Sequence, residues 1–401
     1  METKENGKGK GGAKANVPET GTKGEKQLRS QNRIRKEKMG NYFKTKSEVN
    51  KLNLNLAQLD PESLAKRIKL NHLDEFPATS HPAPDAVSAF KIIEEVLKPV
   101  NLAKAREFWY VENKSKLEDM RKILTSKTVI GIDVEVDSDY SYVPIITLIQ
   151  ISCDTHDFVI DATKLFPFIT ESLQSIFLDN SIVKLVFGQN DVREFKRDFN
   201  LYFTALVDVQ LVHRLATGIK YLPRLNDVVK IYLDKEMDKG NQLFPFKFRP
   251  LPDYILEYAK NDSMFLLECW EVMKEQHREY LLKEYKYKLV NDVILKPFSF
   301  SKSKSFKQEF EKISRSVPKG KQILFTDKNC FNVCMRILEW RKGVARMRDI
   351  SVHNILSRAH VGKLCVEQPI TVRYLGYVLP DVKAWERGWK EGLVKAIIGA
   401  E

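Results

Sequence analysis

Short apolar runs alternate with segments of helical periodicity through the middle of this chain. The segments TVIGIDVE, IITLIQISC and DFVID, between residues 128 and 161, are rich in β-branched residues and predict three successive strands. Two further apolar runs, KLVF and ALVD, follow after stretches with helical spacing. Three consecutive strands, followed by strands that helices separate, predict an α/β fold with a mixed sheet and flanking helices.

The same pattern divides the chain into five parts. Residues 1–75 are rich in Lys, Gly, Asn and Glu and poor in aromatic residues, which predicts a disordered basic tail. Prolines and then helical periodicity mark residues 76–117 as an N-terminal lead-in segment, and 118–290 carry the alternating strands and helices. Residues 291–327 are rich in Ser and Lys, as in a linker, and amphipathic spacing over 328–401 predicts a small all-helical domain.

The charge of the chain narrows the class of partner. The formal net charge is +13, which favours a polyanionic partner, nucleic acid ahead of membrane, although basic proteins can owe their charge to solubility alone. Since no apolar segment reaches 18 residues and no hydrophobic stretch opens the chain, we expect a protein that is neither secreted nor membrane-spanning. The basic run RIRKEK is compatible with a nuclear import signal, an RNA-binding arm or a solvated linker.

The five cysteines do not form a paired CxxC framework. Cys330 and Cys334 are one helical turn apart, but no His or Cys cluster follows them at zinc spacing. The sequence therefore predicts buried packing thiols in a reducing compartment.

Two acidic residues end the first predicted strand. Because successive side chains of a strand alternate between faces, Asp133 and Glu135 project from the same face, about 6.6 Å apart along the strand. Carboxylates that converge on one pocket repel each other and call for a cation, and their oxygens suit Mg²⁺ or Mn²⁺. The alternative is that Asp-x-Glu is only a polar strand end.

Further candidate residues lie later in the chain. Asp191 follows the KLVF strand and the turn at Gly188, where it could be a metal ligand or a helix N-cap. Tyr258 and Asp262 are four residues apart on a predicted helix and so share a face, although Tyr258 by itself could be an ordinary core residue.

These motifs, in this order, resemble the ribonuclease D family. The resemblance covers roughly residues 75 to 400 and rests on GIDVEVDSDYSYVPIITLIQISCDTHDFVID, the Asp191 turn, RPLPDYILEYAKND and WRKGVARMRD. The Asp-x-Glu, Asp and Tyr-x-x-x-Asp signatures are those of the tyrosine-containing branch of the DEDD exonucleases. Within that family, the chain resembles the catalytic exoribonuclease subunits of the nuclear exosome, and LEWRKGVARMRD resembles the start of the helicase and RNase D C-terminal (HRDC) domain.

The resemblance implies a ribonuclease H-like sheet, a C-terminal HRDC-type domain and metal-dependent 3′ to 5′ exoribonuclease activity that releases 5′ mononucleotides. Two divalent ions, Mg²⁺ or Mn²⁺, would be held by Asp133, Glu135, Asp191 and Asp262, and Tyr258 would position or activate the attacking water. The implied partners are single-stranded RNA 3′ ends and the RNA exosome core. The implied location is the nucleus or nucleolus.

The chain also departs from the family pattern. Phe187 stands where the family usually has His, and the segment from Gly188 to Asp191 is one residue short. Gln242 and Arg249 match family positions that either contact RNA or brace a loop. The alternatives are a catalytically silent RNA-binding or exosome-docking protein, and a DNA exonuclease of the same superfamily.

Overall fold

The computed structural model describes residues 80–138, 141–238, 240–241, 244, 246–297, 306–318, 328–380, 385 and 387–400. The predicted basic tail, residues 1–75, and the candidate residue Gln242 lie outside these ranges.

A six-stranded mixed sheet forms the centre of the fold, in the order β1-β4-β3-β2-β5-β6. Its strands are β1 (Glu107–Val111), β2 (Val129–Asp137), β3 (Ile145–Ser152), β4 (His156–Asp161), β5 (Val183–Val186) and β6 (Leu206–Asp208). The pairs β2/β3 and β3/β4 are antiparallel, whereas β1/β4, β2/β5 and β5/β6 are parallel. This arrangement confirms the predicted mixed sheet, and β2 through β6 are the five strands that the apolar runs predicted.

Helices cover the sheet and then continue without strands through the rest of the described chain. Around the sheet lie α1 (Pro84–Ala89), α2 (Lys114–Leu124), α3 (Ile169–Phe177), α4 (Asn190–Phe199), α5 (Val209–Thr217), α6 (Leu225–Leu233), α7 (Asp253–Gln276), α8 (Arg278–Lys283) and α9 (Tyr287–Leu295). The C-terminal helices are α10 (Phe306–Ser314), α11 (Lys328–Arg348), α12 (Val352–Ile355), α13 (Arg358–Glu367), α14 (Val372–Val378) and α15 (Arg387–Ile398).

Two large hydrophobic cores stabilise these layers, and a third cluster, which includes Phe246 and Tyr258, packs α7 against β3 and β4. The larger core joins the sheet to α2 through α9, and the long helix α7 packs across β2, β3, β4 and β5. The smaller core lies among α10 through α15 and contains the buried Cys330, Cys334 and Cys365. All five cysteines are free and buried, as predicted for packing thiols.

The sheet begins earlier than the sequence predicts. The boundary at residue 118 is wrong because β1, inside the predicted lead-in segment, pairs in parallel with β4 from Glu107 to Val111. Its residues EFWYV include a short run of aromatic and apolar residues, and most of them are only half-buried because β1 is an edge strand.

The predicted linker over residues 291–327 also contains ordered structure. Helix α9 extends to Leu295, and α10 lies within the Ser- and Lys-rich stretch. Ile313 and Val317 are buried in the smaller core. The Ser- and Lys-rich composition concealed this helix, because it has only three apolar residues, Phe306, Phe310 and Ile313, and Phe306 is exposed.

The loop after β2 contacts the C-terminal helices. The Tyr142 backbone N–H donates to Asp349 Oδ1 at 3.2 Å, and Arg346 Nε donates to the Tyr142 hydroxyl at 3.0 Å. These contacts join the strand that carries Asp133 and Glu135 to the smaller core. No helix in the described part of the chain is long and apolar enough to span a membrane.

Candidate metal centre

Strand β2 brings the first two candidate carboxylates to one face of the sheet. Its residues are fully buried from Val129 to Ile132 and half-buried from Asp133 to Val136. Asp133 pairs with Gln150 and Glu135 with Leu148 on β3, and a β-bulge follows Glu135. The alternation of side chains along a strand therefore places both carboxylates where the buried strand emerges from the core.

Helix α7 brings Tyr258 and Asp262 to the same place. The helix approaches β2 so closely that a Cβ atom on Gly131 would lie 2.6 Å from the backbone oxygen of Ser263. A buried hydrogen bond of 2.8 Å joins the hydroxyls of Ser263 and Ser152, the β3 residue opposite Gly131. Gly131 shares a face with Asp133 and Glu135, so the point of closest approach lies beside the candidate ligands.

Three of the predicted ligands converge. Asp133, Glu135 and Asp262 each offer a carboxylate oxygen, and these oxygens lie within 4.8 Å of one another. Oxygen donors at this separation suit a divalent cation such as Mg²⁺ or Mn²⁺. The donor set therefore fits the implied metal, although Asp191 is not part of this 4.8 Å group.

Asp191 occupies the first turn of α4, next to the group. Gly188, at φ 87°, turns the chain after β5, and its N–H donates to Asp208 Oδ1 at 2.9 Å. The N-cap of α4 is Gln189, so the capping alternative for Asp191 does not hold. The shortened second motif therefore still directs Asp191 towards the cluster, where its charge acts on Asp133 and Glu135.

Burial and mutual repulsion raise the pKa values of these carboxyl groups. Burial raises the pKa of Asp133 well above its usual range, and Asp191, Asp262 and Glu135 raise it further. The pKa of Glu135 is raised by burial and by Asp262 and Asp191. Burial, with Asp208 and Asp262, raises the pKa of Asp191 to about 7. The folded chain thus gathers carboxyl groups whose ionised form a bound cation would stabilise.

Tyr258 lies at the edge of this cluster, with only 9% of its surface exposed. Its ring stacks with that of Phe246 at 6.4 Å, so it is both a core residue and a neighbour of the carboxylates. Burial raises the pKa of the Tyr258 phenol, and Asp262, Glu135 and Asp133 raise it further. The hydroxyl therefore keeps its proton at neutral pH and can donate a hydrogen bond, but it is a poor base.

The guanidinium of Arg249 is enclosed in a buried network. Its Nε and Nη2 donate to the two carboxylate oxygens of Asp161, at 2.6 and 2.8 Å. Its Nη1 donates to the carbonyls of Phe246 and Phe248, and Nη2 also donates to that of Thr147. Because an arginine has five N–H donors, these contacts use all of them. This geometry favours the bracing role over a substrate contact. A contact between Arg249 and RNA stays an untested prediction.

Stability without metal should depend on pH through this cluster. The folded pKa of Asp191, about 7, exceeds the value of about 3.9 for an unfolded aspartate, so the folded state binds more protons between these values. Stability is therefore lost as pH rises through this window. In EDTA, we expect Asp191 to make the protein about 1 kcal/mol more stable at pH 6 than at pH 8. Urea unfolding at both pH values measures this difference.

Asp191→Asn is the control for this prediction, because other groups also titrate between pH 6 and pH 8. In the variant, the difference in unfolding free energy between pH 6 and pH 8 should lose the part that Asp191 contributes and keep the part that the other groups contribute. Equal pH dependence in the two proteins would show that Asp191 does not titrate in this range.

Sequence reasoning missed the residues that place the ligands. Gly131, Ser152 and Ser263 determine how closely α7 approaches β2, and Asp208 holds the turn before Asp191. A glycine inside an apolar strand is a known sign of close backbone approach, so Gly131 carried a signal in the sequence. The serines carried none, because their pairing depends on the packing of α7 on β3.

Comparison with known proteins relates the domain to exonucleases. A sequence-family profile described as 3′-5′ exonuclease matches residues 108–278, which include the whole carboxylate cluster. Protein RRP6-like 1 of Arabidopsis thaliana is 27% identical over 287 residues, which cover 71% of this chain and 44% of that protein. Human exosome complex component 10 is 26% identical over 269 residues, covering 65% of this chain and 29% of that protein.

A solved structure shows the same fold. The catalytic core of RRP6 from Trypanosoma brucei matches with a TM-score of 0.70 and 22% identity, over 80% of this chain and 89% of that core. The chain spans less than half the length of the two curated relatives. Residues 108–278 therefore match a 3′-5′ exonuclease domain, and the chain is similar in sequence to the RRP6-like and exosome complex component 10 proteins.

Proposed function

We propose that this protein is a metal-dependent 3′ to 5′ exoribonuclease that shortens RNA from its 3′ end and releases 5′ mononucleotides. The observation that carries the proposal is the convergence of Asp133, Glu135 and Asp262 within 4.8 Å, with Asp191 beside them, inside an exonuclease domain. A catalytically silent domain would have no need to maintain this electrostatic repulsion. The retained carboxylates therefore favour an active enzyme over a docking module.

The carboxylates would hold two divalent ions, Mg²⁺ or Mn²⁺, with Asp133, Glu135, Asp191 and Asp262 as ligands. When bound, such ions lower the pKa of water and neutralise charge on the attacking and leaving oxygens of a phosphodiester. The protein's own contribution is placement: β2 and α7 hold three of the carboxylates in fixed relation, and the Gly188 turn presents the fourth. These carboxylates are therefore in place before the ions bind, so they form a preorganised site for the positive charge of the ions.

Tyr258 would orient the attacking water by hydrogen bonding. Its raised pKa keeps the hydroxyl protonated, which favours orientation over proton abstraction. Packing against Phe246 restricts the ring, so the hydroxyl is held near the carboxylates whose charges act on it.

RNA is the proposed substrate class, and the exosome core is the proposed partner. The support is similarity to proteins whose names include exosome complex component 10, together with a net charge of +13 that suits a polyanion. By the same similarity, we propose a nuclear location that includes the nucleolus.

A matched pair of oligonucleotides tests the proposed activity. Single-stranded RNA and DNA of the same sequence, labelled at the 5′ end, would be incubated with the full chain in Mg²⁺, Mn²⁺ or EDTA. We expect products that shorten stepwise from the 3′ end, together with 5′ mononucleotides. These products should form from RNA and not from DNA, and in Mg²⁺ or Mn²⁺ but not in EDTA. Preferential degradation of DNA would identify the DNA exonuclease alternative. Binding of RNA without cleavage in either metal would support the silent alternative.

Arg249→Lys distinguishes bracing from substrate contact. Lysine keeps the charge opposite Asp161 but has too few donors for the carbonyls of Phe246, Phe248 and Thr147. We expect the free energy of unfolding to fall by about 2 kcal/mol, because buried acceptors lose their donors. The KM for RNA should stay unchanged at temperatures where the variant is folded.

Arg121→Lys, on the half-exposed surface of α2, is the control and should change stability by less than about 0.5 kcal/mol. A higher KM for Arg249→Lys with unaltered stability would instead support a substrate contact by Arg249.

A further inference from the structure

A pocket lies beside helix α4, on the side away from the carboxylate cluster. Its volume is about 210 Å³, and its walls come from the start of α4 and the end of α9, with Gln189, Asn190, Arg193, Lys196 and Lys296 among the lining residues. A single buried water needs only about 10–15 Å³ of such volume, so the pocket has room for a tetrahedral oxyanion.

The charged side chains that line this pocket are all cationic. Arg193 and Lys296 are exposed, and within the described ranges neither side chain forms an ion pair. Lys196 is only 5% exposed, and its ammonium donates to the carbonyls of Val293, Ile294 and Lys296 at the end of α9. Its charge is therefore fixed at the base of the pocket, while Arg193 and Lys296 have donors to spare.

Two of these cations, Arg193 and Lys196, stand close enough to repel each other. Burial and the charge of Arg193 lower the pKa of Lys196 to about 8, so the amine remains mostly protonated at neutral pH. An anion in the pocket would relieve this repulsion. The planar guanidinium of Arg193 also matches the oxygen spacing of a phosphoryl group.

The pocket is distinct from the metal centre. With 3.6 residues per turn, Arg193 and Lys196 lie about 200° and 140° around α4 from Asp191. The two sites are thus on opposite faces of one helix, separated by roughly its 10 Å width.

We propose that this pocket binds a phosphoryl group. Two sources share that chemistry: a free phosphate, and a backbone phosphate of an RNA strand that passes beyond the metal centre. The RNA source rests on the proposed function, whereas the phosphate site does not.

The first arm of the test uses inorganic phosphate. The full chain would be titrated with phosphate in EDTA, at constant ionic strength set with chloride, and binding measured from the rise in melting temperature. Without divalent ions, the carboxylate cluster has no cation that could hold phosphate, so a response that depends on the pocket residues reports the basic pocket. We expect the double variant Arg193→Gln/Lys296→Gln to bind phosphate roughly tenfold more weakly or worse, since it loses charge-assisted hydrogen bonds.

The matched control removes two charges at the other end of α9. Lys286→Gln/Lys288→Gln has the same net charge as the pocket variant, and both lysines are exposed and outside the pocket. We expect this control to bind phosphate as the wild type does.

The second arm measures the affinity for single-stranded RNA against salt concentration, again in EDTA. Loss of one phosphate contact lowers the log-log slope by about 0.7, so the pocket variant should show this change and the control should not. A phosphate response that depends on the pocket residues, with an unaltered RNA slope, assigns the pocket to free phosphate. A lower slope assigns it to the RNA backbone.

The proposal is overturned if phosphate raises the melting temperature no more than chloride does and both double variants give the wild-type RNA slope. Failure of the proposed function is distinguishable, because a protein that does not degrade RNA would still bind phosphate in the first arm.

Discussion

Asp133→Asn should reduce RNA hydrolysis by about a thousandfold or more while leaving the protein folded. The substitution keeps the size of the side chain but removes a charged ligand from the group formed with Glu135 and Asp262. Divalent ions would then bind weakly and supply little charge stabilisation. Initial rates on 5′-labelled single-stranded RNA, measured over a range of Mg²⁺ and Mn²⁺ concentrations, test this loss.

Stability without metal separates lost chemistry from misfolding. Burial and three neighbouring carboxylates raise the pKa of Asp133, so burying this carboxyl group, which is ionised in the unfolded chain at neutral pH, costs stability in the metal-free protein. In EDTA, Asp133→Asn should therefore be at least as stable as the wild type. Asp119→Asn, an exposed carboxylate change on α2, should alter neither activity nor stability. Cleavage at the wild-type rate by Asp133→Asn would remove Asp133 from the metal centre.

Asp191→Asn extends this prediction to the fourth carboxylate. Asp191 lies outside the 4.8 Å group, but its charge raises the pKa values of Asp133 and Glu135. Asp191 is therefore close enough to act on a cation bound by these two residues. We expect a loss of activity as severe as that of Asp262→Asn, because either ligand would be needed for a two-ion centre. Retention of most activity by Asp191→Asn would mean that the second-motif ligand is a different residue.

Gly131→Ala should reduce activity about a hundredfold and lower the free energy of unfolding by about 1–3 kcal/mol. A Cβ atom at this position would meet the backbone oxygen of Ser263 at 2.6 Å, and a backbone atom cannot rotate away as a side chain can. Helix α7 must then shift from β2. That shift carries Asp262, the residue before Ser263, away from Asp133 and Glu135.

Gly343→Ala is a matched control for the added methyl group. Gly343 lies within α11, and a Cβ there would meet nothing within 4 Å. Replacing this helical glycine with alanine should raise the free energy of unfolding by roughly 0.5–1 kcal/mol without changing the rate of hydrolysis.

For Gly131→Ala, the midpoint of unfolding in urea and the Mn²⁺ concentration for half-maximal rate should both change. An unaltered metal requirement would show that α7 does not set the spacing of the ligands.

Local sequence periodicity determined which candidate residues share an element and a face. Period two placed Asp133 and Glu135 on one face of β2, and the i, i+4 relation placed Tyr258 and Asp262 on one face of α7. Central strands such as β3 are buried along their whole length, and a short continuous apolar run rich in β-branched residues is typical of such a strand. These properties depend only on neighbours along the chain, so the sequence by itself determined them.

Other elements depend on contacts distant in sequence. Strand β1 is half-buried and exists as a strand through its pairing with β4, and α10 contributes Ile313 to a core formed mainly by later residues. The local patterns, FWYV in β1 and Phe306, Phe310 and Ile313 in α10, are too short to show what each element packs against, because a partner distant in sequence completes each one.

Only the tertiary structure decided how the candidate residues come together. The sequence offered Asp191 as either a cap or a ligand, and it left Arg249 open between a brace and a substrate contact. The Gln189 cap and the charge coupling with Asp133 favour the ligand role for Asp191, while buried contacts with Asp161 occupy Arg249. The spacing of the metal centre depends on the packing of α7 against β2 at Gly131. Periodicity fixes the direction of a side chain within its own element, whereas the distance between two elements is set by the volumes that pack between them.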